Sequence, residues 1–582
     1  MTVLQERPTD RAPKQRRPTT RRGGGGVGRA FVLMVAAIVA TPLVLLVLSS
    51  FNTAGPTEPN EYGLSNWAAA FDNPGIRDAL WNSLTLSITR VAIALPLSCL
   101  IAWLIARTDL PGRGWLEVAC WVGVFLPVLP RVFGWILLLS PDYGVVNVWL
   151  METFGLDSAP LNIFGFWGIT WVHLTSVTVY IQVVLLVPTF RRLGSALEEA
   201  ARVSGASTIQ MLARITLPVL SPAIIGVGIL GFVKSLEAFE VELLLGTRVG
   251  LDVYSTEIYN LLNGEVPEYG QATALGSLFL VLLILLGVGY ALYMRVPGRY
   301  ATVTGKGYVA QRMRLGKARW PVAIVVHGGL VIGLIVPMVL LVLGSFMTRY
   351  GYFDLPETYT LAHWQDVLGQ SALPESFANS LIIAGAAAIV AVFLYSIVSF
   401  LLVRGKSRWH RVADVLMWVP WAIPGILLGL GILWLYLDTP LGTVLYGAIG
   451  GLVFAIALKE SPISTMLFKA SIQQLGPELE ESARVAGASW WRTYAKVVLP
   501  LIAPAAMTVG TYVFLNAIGE ISTIILLYTG DTRPLSMLML EYSFLGSMEA
   551  GSVVGLLITG IVLVVVMLAR LWGVRLTGEK PK

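Results

Sequence analysis

Twelve stretches of the chain are apolar over roughly the 20 residues that one membrane-crossing helix requires. They lie near 30–50, 83–106, 116–139, 162–188, 217–235 and 273–295, and again near 322–346, 380–403, 412–436, 441–468, 499–527 and 551–574. The pattern predicts an all-α membrane protein of about twelve transmembrane helices. The polar segments between the stretches alternate in charge. One set is basic: Arg107 and Arg113 after the second stretch; Arg404, Lys406, Arg408 and Arg411 after the eighth; and Arg295, Arg299, Lys306, Arg312, Arg314, Lys317 and Arg319 in the middle of the chain. The other set is acidic, with Glu58, Glu61, Asp72 and Asp78 in one loop and Asp142, Glu152 and Asp157 in another. Lys and Arg mark the cytoplasmic side of a membrane protein. The basic loops and both termini are therefore expected in the cytoplasm, in a multi-pass membrane protein.

Composition agrees. Of 582 residues, 55% are hydrophobic and 13% charged, and mean hydropathy is +0.72. A soluble domain is nearer a quarter charged. The net charge of +6 is concentrated in the N-terminal tail, where Arg7, Arg11, Lys14, Arg16, Arg17, Arg21, Arg22 and Arg29 face only Glu6 and Asp10. No nucleic-acid module accompanies that tail, so it reads as a marker of the cytoplasmic side, with membrane lipid rather than nucleic acid as its surroundings. The run Phe31 to Leu48 follows it without a convincing small-residue cleavage site and is expected to stay as the first helix. Cys99 and Cys120 do not form a metal-type or disulfide pattern.

The chain repeats itself. Leu64-Ser65-Asn66-Trp67 and Asn82-Ser83-Leu84 recur as Leu361-Ala362-His363-Trp364 and Asn379-Ser380-Leu381, 297 residues later. Pro127 and Pro130 open the third stretch as Pro420 and Pro424 open the ninth. Further along, the offset falls to 282, as expected if the loop near 141–160 is longer in the first half. The expected division is a tail at 1–29, a first half at 30–298, a linker at 299–321, a second half at 322–576 and a tail at 577–582. Six stretches per half make the repeat parallel, both halves inserting the same way up.

One motif occurs once per half, between the fourth and fifth stretches of each. Glu199-Ala200-Ala201-Arg202-Val203-Ser204-Gly205 is followed thirteen residues after its glycine by Pro218, and Glu481-Ser482-Ala483-Arg484-Val485-Ala486-Gly487 is followed at the same distance by Pro500. Glu near a helix start suits the dipole. Alanines allow a second backbone close by. Glycine turns the chain in the left-handed conformation, and proline suits the first turn of the next helix. The expected product is a short bent helical pair beneath the bilayer.

This pattern resembles the EAA loop of binding-protein-dependent ABC importer permeases, in two copies that cover nearly the whole chain. The resemblance implies a type I importer permease with two fused halves. It also implies a coupling role for Glu199, Ala201 and Gly205 and for Glu481, Ala483 and Gly487, with Ser482 departing from the usual alanine. A cytoplasmic ABC ATPase dimer that binds ATP and Mg, and an extracytoplasmic substrate-binding protein, are the implied partners. No phosphate-binding Gly-x-x-x-x-Gly-Lys-Ser/Thr loop occurs in this chain, so it is expected to be a transport subunit and not an enzyme.

The cargo is less legible. The stretch Phe239 to Gly246 with Tyr254 to Tyr259 resembles the ferric-iron permeases. Thiamine, aminoethylphosphonate and polyamine importers are the alternatives, and an ion-coupled secondary transporter is the rival from another class. Glu237, Glu240, Glu520, Lys459 and Glu460 lie in or beside apolar stretches. Such groups line a water-filled pathway or pair with one another, and both readings stand for Lys459 and Glu460. His173 is expected to be hydrogen-bonded within the bundle.

Overall fold

The structure, a computed structural model, describes residues 25–55, 59–193, 201, 203–293, 313–405 and 407–571. Most of the basic tail, most of the central linker, Glu199 and the C-terminal tail lie outside the described residues. The described chain is helical, and its only β-type pairings are three isolated bridges. Among the described residues, eight single helices are long and apolar enough to cross a membrane: Gly26–Ser49, Pro74–Arg107, Phe166–Arg192, Leu212–Leu236, Tyr269–Gly289, Gly316–Phe346, Ala372–Arg404 and Met548–Leu571. Four further candidates are bent pairs: Arg113–Phe125 with Val128–Leu139, Arg408–Trp421 with Gly425–Asp438, Ile449–Lys459 with Ser461–Gln473, and Trp490–Leu501 with Ala503–Ile518. With each pair taken as one span the total is twelve, numbered below in chain order.

Prolines explain the breaks. They do not open the third and ninth spans, as the sequence suggested, but stand inside them. A residue before proline is pushed out of the helical region. Leu126 is extended before Pro127 and Ile423 before Pro424, and the two segments meet at 101° and 112° respectively. In the third span a buried guanidinium occupies the break. Arg131 donates to the carbonyls of Gly123 (3.2 Å), Leu126 (2.7 Å), Pro127 (3.3 Å) and Ser176 (2.6 Å). It satisfies carbonyls that the broken helix leaves without partners. Leu428 occupies the equivalent place in the second half.

A wide turn serves the same purpose elsewhere. The π-helical turns Leu212–Thr216, Val331–Ile335 and Tyr494–Val498 each end two residues before a proline: Pro218, Pro337 and Pro500. In each, the residue before the proline donates five residues back, Leu217 to Leu212, Val336 to Val331 and Leu499 to Tyr494. Proline cannot donate, and its ring collides with the carbonyl four residues earlier. Widening the turn relieves the collision without ending the helix.

The two halves embrace. The first span packs on the second segment of the ninth, and the seventh span packs on the second segment of the third. Each crossing places a glycine against a proline carbonyl. A Cβ on Gly134 would stand 2.0 Å from the Pro337 oxygen, and one on Gly431 would stand 2.4 Å from that of Pro42. Within each half, the second span packs on the fourth and fifth, as the eighth packs on the tenth and eleventh.

The repeated sequence motifs turn out to be braces on the face away from the Glu-Ala-Ala motifs. Trp67 and Trp364 donate to Ser50 and Ser345, each at 3.2 Å, and close small loops against Phe51 and Phe346. Asn82 donates to the Asp252 carbonyl and Asn379 to that of Asp531, both at 2.9 Å. The hydroxyls of Ser83 and Ser380 accept from the backbone N–H of Tyr254 (2.8 Å) and Leu535 (2.7 Å).

Replacing Gly134 or Gly431 with valine forces a side chain into a backbone and is expected to destabilise the protein by about 1–3 kcal/mol each. A thermal melt of the detergent-purified chain checks this; an unchanged midpoint in both variants contradicts the crossing.

Candidate functional site: two matching turns and a charge cluster

The Glu-Ala-Ala segments end in the same turn. Gly205 has φ +83° and Gly487 φ +82°, the left-handed region that glycine enters at least cost. The Ala206 N–H donates to the Ala201 carbonyl and the Ala488 N–H to that of Ala483, both at 3.0 Å. This is the six-to-one bond of a Schellman close. Neither glycine has a neighbour within 4 Å of where a Cβ would lie, so conformation and not space demands it. A second short helix follows in each half, Thr208–Met211 and Trp490–Thr493; Ser207 and Ser489 accept from the N–H of Gln210 and Arg492, both at 3.3 Å. The π turn and proline then lead into the next span.

What the turns present outward is also matched. Val203 and Val485 are each 90% exposed, although both are apolar. Glu481 is exposed and Ala483 half-buried, while Ala201 is buried. Ser482 folds its hydroxyl back to the Glu478 carbonyl at 2.7 Å, so it adds little more than alanine to the outer surface. The element before Gly487 is the helix Glu478–Val485, with Glu478, Glu480 and Glu481 in its first turn.

The interior charges gather at the ends of the fifth and eleventh spans. Lys234 pairs with Glu237 at 2.7 Å, and Lys459 with Glu520 at 2.6 Å. Lys459 and Glu460 do not pair with each other. The tenth span breaks after Lys459, and neighbouring helical positions do not face one another. Glu520 also accepts from the Thr523 N–H (2.8 Å) and the Ser522 hydroxyl (3.1 Å). The groups reach across the halves. Lys459 and Glu520 act electrostatically on Glu237 and Glu240, and Lys234 acts on Glu460. The Lys234 ammonium lies 5.1 Å from the Trp421 ring of the second half. Four carboxylates thus meet two ammonium groups. Among the described residues no three His, Cys, Asp or Glu side chains converge as a metal site would require.

A second buried group was missed in the sequence. His173 does find a partner within the bundle, the Glu242 carboxylate at 3.0 Å, and the same oxygen takes Arg90 at 2.5 Å. Arg90 and Glu242 are buried. A charged residue inside an apolar stretch was the available signal for Arg90, as for Arg131. At the 297 offset the second half has Ala387 and Leu428 in their places.

The described residues thus hold up to twelve candidate spans in two matching halves, with the same glycine turn between the fourth and fifth spans of each. Residues 396–576 match the family described as binding-protein-dependent transport system inner membrane component. A probable ABC transporter permease of Sinorhizobium fredii is 26% identical over 80% of this chain and 82% of its own. A putative ferric transport system permease of Haemophilus influenzae is 28% identical over 71% of this chain and 65% of its own. A ferric transport system permease of Actinobacillus pleuropneumoniae is 25% identical over 93% of this chain and 76% of its own. Along most of its length the chain is thus similar to permease subunits of ABC transporters, and residues 396–576 match the binding-protein-dependent permease family.

Left-handed backbone costs a residue with a side chain about 1–2 kcal/mol. Gly487→Ala is therefore expected to speed amide hydrogen exchange in the segment 478–492 by about 5- to 30-fold. Mass spectrometry of the exchanged peptide reads it, and unaltered protection contradicts the turn.

Proposed function

We propose that this chain is the translocating subunit of an ATP-driven importer for ferric iron, with its two Glu-Ala-Ala turns as the docking points for the ATPase. The observation that carries the docking role is the pair of matching turns, each offering an exposed valine where a solvated loop has no use for one. An exposed apolar side chain on a fixed turn suits a complementary cleft. The motif face then lies in the cytoplasm with both termini, and Glu199, Ala201, Gly205, Glu481, Ala483 and Gly487 shape the two coupling turns. ATP and Mg belong to the ATPase dimer. The opposite face receives a loaded binding protein, and lipid surrounds the spans.

The cycle follows from coupling. Closure of the ATPase dimer on ATP draws the two turns together and rocks the halves about their crossed spans. This opens a path outward, and hydrolysis returns the path to the cytoplasm. Each ligand drives such a change only through different contacts in the two states.

Iron is favoured by two of the relatives named above, described as ferric transport permeases, and by the excess of glutamate over lysine between the halves. Carboxylates are hard oxygen donors. Glu237, Glu240, Glu460 and Glu520 are the pathway groups in this reading, with Lys234 and Lys459 as their counter-ions. The binding protein sets selectivity, so these groups pass the cargo along and need no converging metal site.

Two measurements test the proposal. The combined variant Glu199→Ala, Glu481→Ala is expected to reach the membrane yet lose stimulation of ATP hydrolysis by the loaded binding protein; retained stimulation removes the docking role. In vesicles holding the complete transporter, ATP-dependent uptake of radioactive ferric iron is expected to fall about tenfold or more in Glu240→Gln, Glu460→Gln, a barrier change of about 1.4 kcal/mol or more. Uptake of thiamine, a phosphonate or a polyamine in place of iron overturns the cargo.

A further inference from the structure

The second and eighth spans each carry two attachments at a fixed separation. Near one end, Ser83 and Ser380 hold the loops that follow the fifth and eleventh spans, at Tyr254 and Leu535. At the other end, 24 residues later in both spans, stand Arg107 and Arg404. Arg107 donates to the Leu193 carbonyl and Arg404 to the Leu475 carbonyl, each at 3.0 Å. Those carbonyls lie at the ends of the fourth and tenth spans, just before the Glu-Ala-Ala segments. Arg404 also pairs at 2.7 Å with Glu480, a buried residue in the first turn of the coupling helix Glu478–Val485. Glu198 stands at the same place in the first half, outside the described residues.

We infer that the second and eighth spans are levers that carry movement of the coupling turns to the opposite face, with Arg107 and Arg404 as the positioning residues that fasten the turn to the lever. The inference rests on the docking role proposed above. Each lever is a single helix, and 24 residues of helix span about 36 Å, roughly a hydrocarbon core. A helix transmits an axial or rocking displacement without stretching its hydrogen bonds. The asparagine and serine attachments then pass it to the loops at 252–254 and 531–535, which face the binding protein in this reading. Basic residues at these two places also obey the cytoplasmic charge bias, but a side chain that only marks a side of the membrane has no need to be buried. Arg107 is 2% exposed. Another ion pair near the motif face, Asp414 with Lys469, joins the ninth span to the tenth. It serves as a control.

The test uses the complete transporter in vesicles and reads two rates, basal ATP hydrolysis and hydrolysis stimulated by the loaded binding protein. Arg404→Ala is expected to keep the basal rate and lower the stimulation about fivefold or more, the scale of coupling between distant sites. The swap Arg404→Glu, Glu480→Arg is expected to recover most of it, and Lys469→Met to leave the ratio unchanged. Should Arg404→Ala fail to assemble, Arg404→Gln takes its place, since an amide can still donate to the Leu475 carbonyl but cannot pair as a charge. Full stimulation in the single variant, or a swap no better than the single, overturns the lever. If the Glu199, Glu481 double variant loses stimulation while Arg404→Ala keeps it, the lever alone falls. If both keep it, the docking role falls too.

Discussion

Everything in this molecule is arranged around two backbone crossings. Gly134 meets the Pro337 carbonyl, and Gly431 meets that of Pro42. Each half lends its first span to the other, and each crossing admits only a hydrogen where a side chain would otherwise stand. Helices in lipid gain little from burying apolar surface, because the solvent is equally apolar; close backbone approach at small residues supplies the attraction instead. The crossings thus bind the halves while leaving them two separate bundles. The charged ends of the fifth and eleventh spans meet in the seam between those bundles, and the Glu-Ala-Ala turns project from the motif face of each.

The price of a membrane interior is that every polar backbone group must find a partner there, and proline repeatedly removes one. The chain meets this in two ways. Where a span continues, as at Pro218 and Pro337, the turn before it widens; at Pro500 it widens too, although the eleventh span bends by 75° just after Leu501. Where a span must bend sharply, as at Pro127, a buried guanidinium gathers the stranded carbonyls. Arg131 is held by dipoles alone among its hydrogen-bond partners, which suits a residue whose charge cannot be shed.

The number, type and order of the spans were legible because a bilayer imposes one length and one polarity on any crossing helix. The two glycine turns were legible because their residue types and spacing follow from capping geometry, and Gly205 and Gly487 did take the left-handed conformation their places demanded. The bends were harder to read. Pro127 and Pro424 are visible in the sequence, but an apolar run looks the same whether it starts, continues or turns at a proline. Pairing was harder still. Lys459 and Glu460 are adjacent along the chain, yet Lys459 reaches Glu520, sixty-one residues away, because direction of a side chain depends on where the helix breaks. Arg90 and Arg131 passed unnoticed among hydrophobic neighbours, and Asn82 and Ser83 looked like a mark of kinship before they proved to be hydrogen bonds.

The fixed charges Arg90, Glu242 and Arg131 belong to the first half only, with Ala387 and Leu428 at the places of the two arginines in the second. A permease assembled from two identical subunits has no such freedom: every residue arrives twice, and a charge buried in one subunit is buried in both. Joining the halves in one polypeptide breaks that constraint. Substitutions can accumulate in one half alone, so the two interiors can become unevenly charged while the outer architecture stays twofold. An odd number of buried charges is a design closed to a pair of identical subunits and open to two halves that differ.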